Sequence, residues 1–264
     1  MIFPLGKKNS FREKIEKIGD FVEIRLDIYF IRMYIFYIMK TPQNKQSNVT
    51  ATTESLLNAA ERLFAEYGYD GVGMRTLAIE AGVNLGAATY HYGSKEQLYI
   101  ETVMRCLRPI SEERLRLLRR AEKAAKGKPV PLETIIDCML RPPFLTALVR
   151  PHFSALLARN LFMPPPFMLD LLAQEGSKVH EPFITALSQT LPDLPIENLR
   201  IREMFARGIL LMFLSKMPIS QNTEFCESVL KEMVTFIAAG LHSESKLPSS
   251  VLPSMPFSQS SLGV

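Results

Sequence analysis

The apolar residues of "TESLLNAAERLFAEYGYDG" fall at Leu56, Leu57, Ala60, Leu63, Phe64 and Tyr67. That spacing of three and four lines one side of an amphipathic helix. Thr52 or Thr53 is placed to cap its start, and Gly68 to end it. The next unit, "MRTLAIEAG", predicts a short helix with Leu77, Ala78 and Ala81 turned inward and Gly82 as its terminator. Asn84 can then cap a third helix, because its side chain accepts from free amides of a first turn; that helix runs to about Tyr92. Ser94 and Gln97 have the S-x-x-Q spacing of a capping box and predict the start of a long fourth helix.

Past Arg105 the segment "RCLRPISEERLRLLRRAEKAAKGKPVP" is basic and amphipathic, with breaks expected at Pro109 and at Gly127–Pro131. Helices are predicted over 132–140, about 144–161, about 165–190 with irregularities at Gly176 and Pro182, about 197–217 and 222–241. No stretch reads clearly as a strand and no internal repeat is found, so the predicted class is all-α. The closing "SESKLPSSVLPSMPFSQSSLGV" is rich in Ser and Pro and is expected to be disordered.

Composition adds boundaries rather than a function. With 47% apolar and 22% charged residues, the chain can bury a substantial core, and its net charge of +4 points to no particular partner. Cys106, Cys138 and Cys226 are widely spaced in apolar helical contexts, as expected of reduced core residues in a cytoplasmic protein. His91, His152, His180 and His242 are scattered, no metal-ligand spacing exists, and no cofactor is expected. The apolar run at residues 21–39 is interrupted by Glu23, Arg25, Asp27 and Arg32, which argues against a membrane span. Met39 opens a basic arm carrying Lys40 and Lys45, so residues 1–38 are expected to be an over-extended translation start or poorly ordered. Mass spectrometry of the protein made from its own gene checks this; an intact Met1 terminus would refute the over-extended start.

The stretch "GVNLGAATYHYGSKEQLY" puts small residues beside exposed aromatics on one short helix. Three short helices within fifty residues, with a turn at Gly82–Val83, make a helix-turn-helix layout. Gly86, Ala87 and Ala88 would let a recognition helix press close to the floor of a major groove. Thr89, Tyr90 and His91 supply donors that reach phosphates at the groove edge. Lys95 stands in the first turn of the fourth helix, where the dipole prefers an acid, and a cation there points to an anionic partner.

The segment "AAERLFAEYGYDGVGMRTLAIEAGVNLGAATYHYGSKEQLY" resembles the TetR-type transcriptional repressors over residues 53 to about 103. It carries the patterns "A-x-x-LFAExGY", "M-R-x-LA-x-x-AGV" and "YH[FY]-x-SK-x-x-L". The resemblance implies double-stranded DNA contacts from Arg75 and Thr76 on the second helix. It implies further contacts from Asn84, Leu85, Gly86, Ala87, Thr89, Tyr90 and His91 at and on the third helix, and from Lys95 on the fourth. Two positions depart from the family. Ala88 stands where many members have Leu or Ile, and Leu85 replaces a polar or basic residue, so it could meet a thymine methyl. Between residues 50 and 103 the only basic residues are Arg62, Arg75 and Lys95, against Glu54, Glu61, Glu66, Asp70, Glu80, Glu96 and Glu101. Bulk positive charge is therefore not the source of affinity.

The expected organisation is an arm at 1–49, a DNA-binding domain at 50–103, a helical ligand-sensing and dimerisation domain at 104–243, and a tail at 244–264. The resemblance implies a cytoplasmic homodimer on a palindromic operator, released by a small-molecule effector, with no membrane partner. An apolar pocket is expected to draw on Phe144, Phe162, Phe167, Phe183 and Phe213, with Arg150, His152, Arg159 and His180 as polar anchors. That composition suits a hydrophobic or amphipathic effector. The run "MFARGILLMFLSKM" is apolar nearly all round and predicts burial on more than one side. Phe205, Gly208 and Met212 would pair with Phe225, Val229, Met233 and Phe236 across a two-fold axis. Three other readings compete: a DNA-binding regulator gated by a protein or acting as an activator, a helical enzyme, and a membrane-associated protein. The enzyme would need convergent acid, base or metal groups that the sequence does not show.

Overall fold

The computed structural model describes residues 47–150, 152–216 and 223–244; of 47–50, Lys216 and Thr223 it describes the backbone alone. The expectations for residues 1–46, including the basic arm and the apolar run, and for the tail from residue 245 lie outside the described residues. Every regular element among the described residues is helical. These are α1 (Ser47–Tyr67), α2 (Met74–Glu80), α3 (Leu85–Tyr92), α4 (Lys95–Ala125), α5 (Leu132–Val149), α6 (Phe153–Phe162), a 3₁₀ turn at Pro166–Met168, α7 (Leu169–Thr190), α8 (Ile196–Lys216) and α9 (Thr223–His242). None of the described helices is long and apolar enough to cross a membrane, and no described cluster of His, Cys, Asp and Glu could hold a metal ion.

The local signals placed the first four helices well, with one exception. The chain is already helical at Ser47, so Thr52 and Thr53 lie inside α1 rather than at its cap. Its end is where the glycine predicted, with Gly68 at φ +75°. Helix α2 stops in a Schellman arrangement: the Val83 amide donates to the Ala78 carbonyl at 2.9 Å and the Gly82 amide to Ile79 at 3.1 Å. Gly82 takes φ +69°, a conformation that costs a residue bearing a Cβ.

Further along, the interior prolines do not break the helices that carry them. Helix α4 runs unbroken through Pro109, and α5 runs through Pro142 and Pro143, where a gap at 141–143 was expected. Each proline removes an N–H and is costly in a helix interior. In α5 burial outweighs that cost: Ile135, Ile136, Met139, Leu140, Phe144 and Ala147 are nearly inaccessible to water, and both prolines are buried with them. The break falls instead after Val149, where Arg150 turns extended at φ −124°, ψ 92°, as favoured for a residue preceding proline.

The head (α1–α3 and the start of α4) and the helical body share one core. Ala60, Phe64, Leu77, Leu98 and Tyr99 belong to the same buried cluster as Phe153, Leu156 and Met168. Tyr99 sits edge-on to Phe64 at 4.8 Å between ring centroids and to Phe167 at 6.0 Å. Movement of α6 or of the 3₁₀ turn is therefore felt directly by the head.

Candidate nucleic-acid interface

Helix α3 is held by its small residue and displays its large ones. Ala88 is fully buried against Leu56 and Ala78, with Met74, Ala81, Val83 and Tyr92 packed around them. A methyl suffices at this point because α1 and α2 approach α3 closely. The Asn84 carboxamide oxygen accepts from the Ala87 amide at 2.7 Å, as the sequence predicted. At the other end Gly93 takes φ +68° and its amide donates to the Thr89 carbonyl at 2.7 Å.

What remains outside is a coherent face. Leu85, Gly86, Thr89 and Tyr90 are exposed, Tyr90 at 85%, while Ala87 and His91 are half-buried. The rings of Tyr90 and His91 meet edge-to-face at 5.3 Å. Tyr92 points the other way: its hydroxyl donates to the Thr53 carbonyl at 3.3 Å, and burial pushes its pKa up to about 12. The aromatic run is thus divided between a displayed residue and a seated one. Arg75 and Thr76 are exposed at the start of α2. Ser94 accepts from the Gln97 amide at 3.1 Å, but the Gln97 side chain donates to Glu101 at 3.2 Å, so one half of the capping box is made.

Lys95 behaves differently from the other predicted contacts. Its ammonium lies 4.0 Å from the centre of the Tyr69 ring and donates to the Tyr69 carbonyl at 3.2 Å. The cation that the sequence read as a sign of an anionic partner already has a partner within the chain.

Sequence reasoning missed the residues that join head to body. Glu61 lies on the inner side of α1, 7% exposed, and receives Arg105 of α4 at 2.9 Å and Arg150 at the end of α5. Arg105 also meets Glu54 at 3.2 Å and Asn58 at 3.0 Å. Arg159 of α6 donates to the carbonyls of Ala65 at 3.0 Å and Glu66 at 2.8 Å, at the end of α1. The only sequence signal was an acid, Glu61, embedded among apolar positions.

The nine residues grouped as an effector pocket separate into three places. Phe144, Phe183 and His180 lie inside the body, and half-buried Phe213 stacks on Phe144 at 5.9 Å. Arg150, Arg159 and Phe167 lie at the junction with the head, and half-buried His152 stands at the N-cap of α6. Phe162 is on the surface, 68% exposed. Of the expected dimer residues, Phe205, Gly208, Met212, Phe225 and Phe236 are exposed, Val229 is half-buried, and Met233 belongs to the core of the chain itself.

A helix-turn-helix head on an all-helical body defines the class, and comparison with known proteins gives the family. Residues 56–102 match the model of bacterial regulatory proteins of the tetR family, and residues 137–240 match the tetracyclin repressor-like C-terminal domain. The chain belongs to the TetR family of bacterial transcriptional regulators. Among curated relatives, the transcriptional repressor AcnR of Corynebacterium jeikeium is 32% identical over 71 residues, 27% of this chain and 38% of that protein. The regulator LmrA of Bacillus subtilis is 47% identical over 51 residues, 19% of this chain and 27% of its own length. These matches thus span well under half of each relative. Two solved structures share the fold. The probable transcriptional regulatory protein RHA5900 aligns with TM-score 0.51 at 20% identity, covering 73% of this chain and all of that one. The ketosteroid transcriptional regulator KstR2 of Mycobacterium tuberculosis aligns with TM-score 0.52 at 18% identity, covering 75% of this chain and 98% of that one.

Proposed function

We propose that the protein is a homodimeric repressor that binds a palindromic DNA operator through α3 and is released by a hydrophobic or amphipathic small molecule. The observation that carries the reading is the division of α3: Ala88 anchors the helix in the head while Leu85, Thr89 and Tyr90 stand clear of it. Tyr90 and Thr89 present hydroxyls to phosphate, and Leu85 presents an apolar surface to a thymine methyl. Arg75 and Thr76, exposed at the start of α2, add donors for the DNA backbone.

Two such helices must meet half-sites about one DNA turn apart, which requires a dimer. The exposed apolar face of α8 and α9, with Phe205, Met212, Phe225 and Phe236, is the surface that a second copy would cover. Release works as a population shift: a ligand that binds a body conformation with misplaced heads lowers DNA affinity by its differential binding. Glu61, Arg105, Arg150 and Arg159 make the body's position felt by α1 and so by α3.

Selection of bound sequences from random duplex DNA tests this reading. An enriched inverted repeat with half-sites centred about one helical turn apart is expected. Enrichment of a single unrepeated motif, or of none, would contradict it.

A further inference from the structure

Three elements of the body meet around one carboxylate. Glu203 of α8 is 2% exposed; its Oε1 stands 3.0 Å from His180 Nδ1 of α7, and its Oε2 accepts from the Arg207 Nε at 2.9 Å. Burial opposes ionisation of Glu203, but His180, Arg207 and Arg114 outweigh it and hold its pKa below the usual carboxylate range. Burial holds His180 below its ordinary pKa despite Glu203, so the ring is neutral near neutral pH.

Arg114 of α4 completes the cluster and is left over. Its guanidinium lies 5.3 Å from the centre of the fully buried Phe183 ring, and its Nε is cut off from water without a hydrogen-bond acceptor. The nearby anion is Glu203, already shared by His180 and Arg207. Here two guanidiniums face one carboxylate, a surplus of one positive charge. Desolvation lowers the Arg114 pKa to about 10 although Glu203 acts in the opposite sense. Arg114 is half-buried and only its Nε is cut off from water, but a guanidinium presents a planar fork that matches a carboxylate, and leaving that Nε without an acceptor is costly.

We propose that Arg114 is the anchor for an anionic effector, a monocarboxylate with an apolar tail, seated between α4, α7 and α8 with Phe183 beneath the charge. The proposal rests on the ligand-responsive reading above and gives it a chemical class. It replaces the anchors expected from sequence, because Arg150 and Arg159 are committed to Glu61 and to the end of α1. Position makes the site consequential. Helix α4 carries Arg114 in its middle and Lys95 and Arg105 near its start, so an anion drawing on Arg114 acts on the helix that seats the head.

The test uses the full chain without DNA, with decanoate as the probe and decanol as its uncharged counterpart, by titration calorimetry. Decanoate is expected to bind saturably to the wild type and about tenfold or more weaker to Arg114→Met, while decanol does not distinguish the two. Arg114→Met is also expected to melt no lower than the wild type, since it removes a half-buried guanidinium whose Nε has no acceptor. Glu203→Gln removes the resident carboxylate and is expected to tighten decanoate binding, an effect that general loosening of the body would not produce. Equal decanoate affinity in the wild type and Arg114→Met, or no saturable binding at millimolar concentration, would overturn the proposal. DNA occupancy is read separately: Arg114-dependent binding without release of DNA supports the site and overturns the ligand-responsive reading.

Discussion

Arg159 closes the end of a helix that belongs to another part of the molecule: from α6 it donates through Nε to the Ala65 carbonyl of α1 at 3.0 Å. The last carbonyls of a helix have no partner within it, and a guanidinium there also opposes the negative end of the dipole. Gly68 leaves the space, since a Cβ at that position would stand 3.1 Å from Arg159 Nη1. Arg159→Ala is therefore expected to cost about 1–2 kcal/mol in denaturant unfolding. Gly68→Ala is expected to destabilise as well, because the backbone is held at φ +75°. An unchanged midpoint for Arg159→Ala would mean that the contact contributes nothing to stability.

Helix α3 predicts opposite behaviour on its two sides. Tyr90→Ala is expected to leave the melting temperature unchanged, since the ring is 85% exposed, and to weaken DNA binding. Ala88→Leu puts extra carbons where the side chain is fully buried, at a cost of about 1–3 kcal/mol in stability, and it displaces the helix from the groove. Circular dichroism melts and DNA titrations of both variants check the pair.

Tyr92 gives a pH signature. Its folded pKa of about 12 lies above the ordinary tyrosine value of 10.0, so on raising the pH the unfolded chain ionises first. The stability associated with the neutral phenol is complete below about pH 10 and is lost as the pH rises toward 12. Melting temperatures of the wild type and Tyr92→Phe, compared at neutral pH and above pH 10, should show the wild type losing more. A constant difference would mean that the phenol is not desolvated.

The apolar face of α8 and α9 predicts an assembly. Phe236, 65% exposed in the single chain, becomes buried if two copies meet there. Phe236→Glu is then expected to shift sedimentation from dimer to monomer without loss of helical signal. A monomeric wild type would remove this face from the account.

Charge predicts a shallow response to salt. The head carries few cations, and Lys95 is engaged with Tyr69. The slope of log affinity against log salt should be well short of about −10 per dimer, a value reached by strongly electrostatic DNA binders.

Much of the head was legible because its signals are local. Asn84 caps α3, Ser94 caps α4, and Gly82 ends α2; each bond spans a few residues of chain and follows from side-chain chemistry. The prolines of α4 and α5 were not legible, since whether a helix survives Pro109, Pro142 and Pro143 depends on what its flanks bury. The junction was hidden for the same reason. Glu61 meets Arg150 across 89 residues of sequence, and neither shows a partner in its own neighbourhood of the chain. From sequence, Arg150 and Arg159 read as polar anchors of an apolar pocket. In space they are the ties between body and head.

The central claim is that α3 carries the protein onto DNA as one of a pair, and fluorescence anisotropy on DNA upstream of the protein's own gene tests it most directly. The account predicts binding at two protomers per site, or a multiple of two, tight in the wild type and lost in Tyr90→Ala while that variant keeps its wild-type melting temperature. No preference over random DNA, or full affinity in Tyr90→Ala, would contradict it.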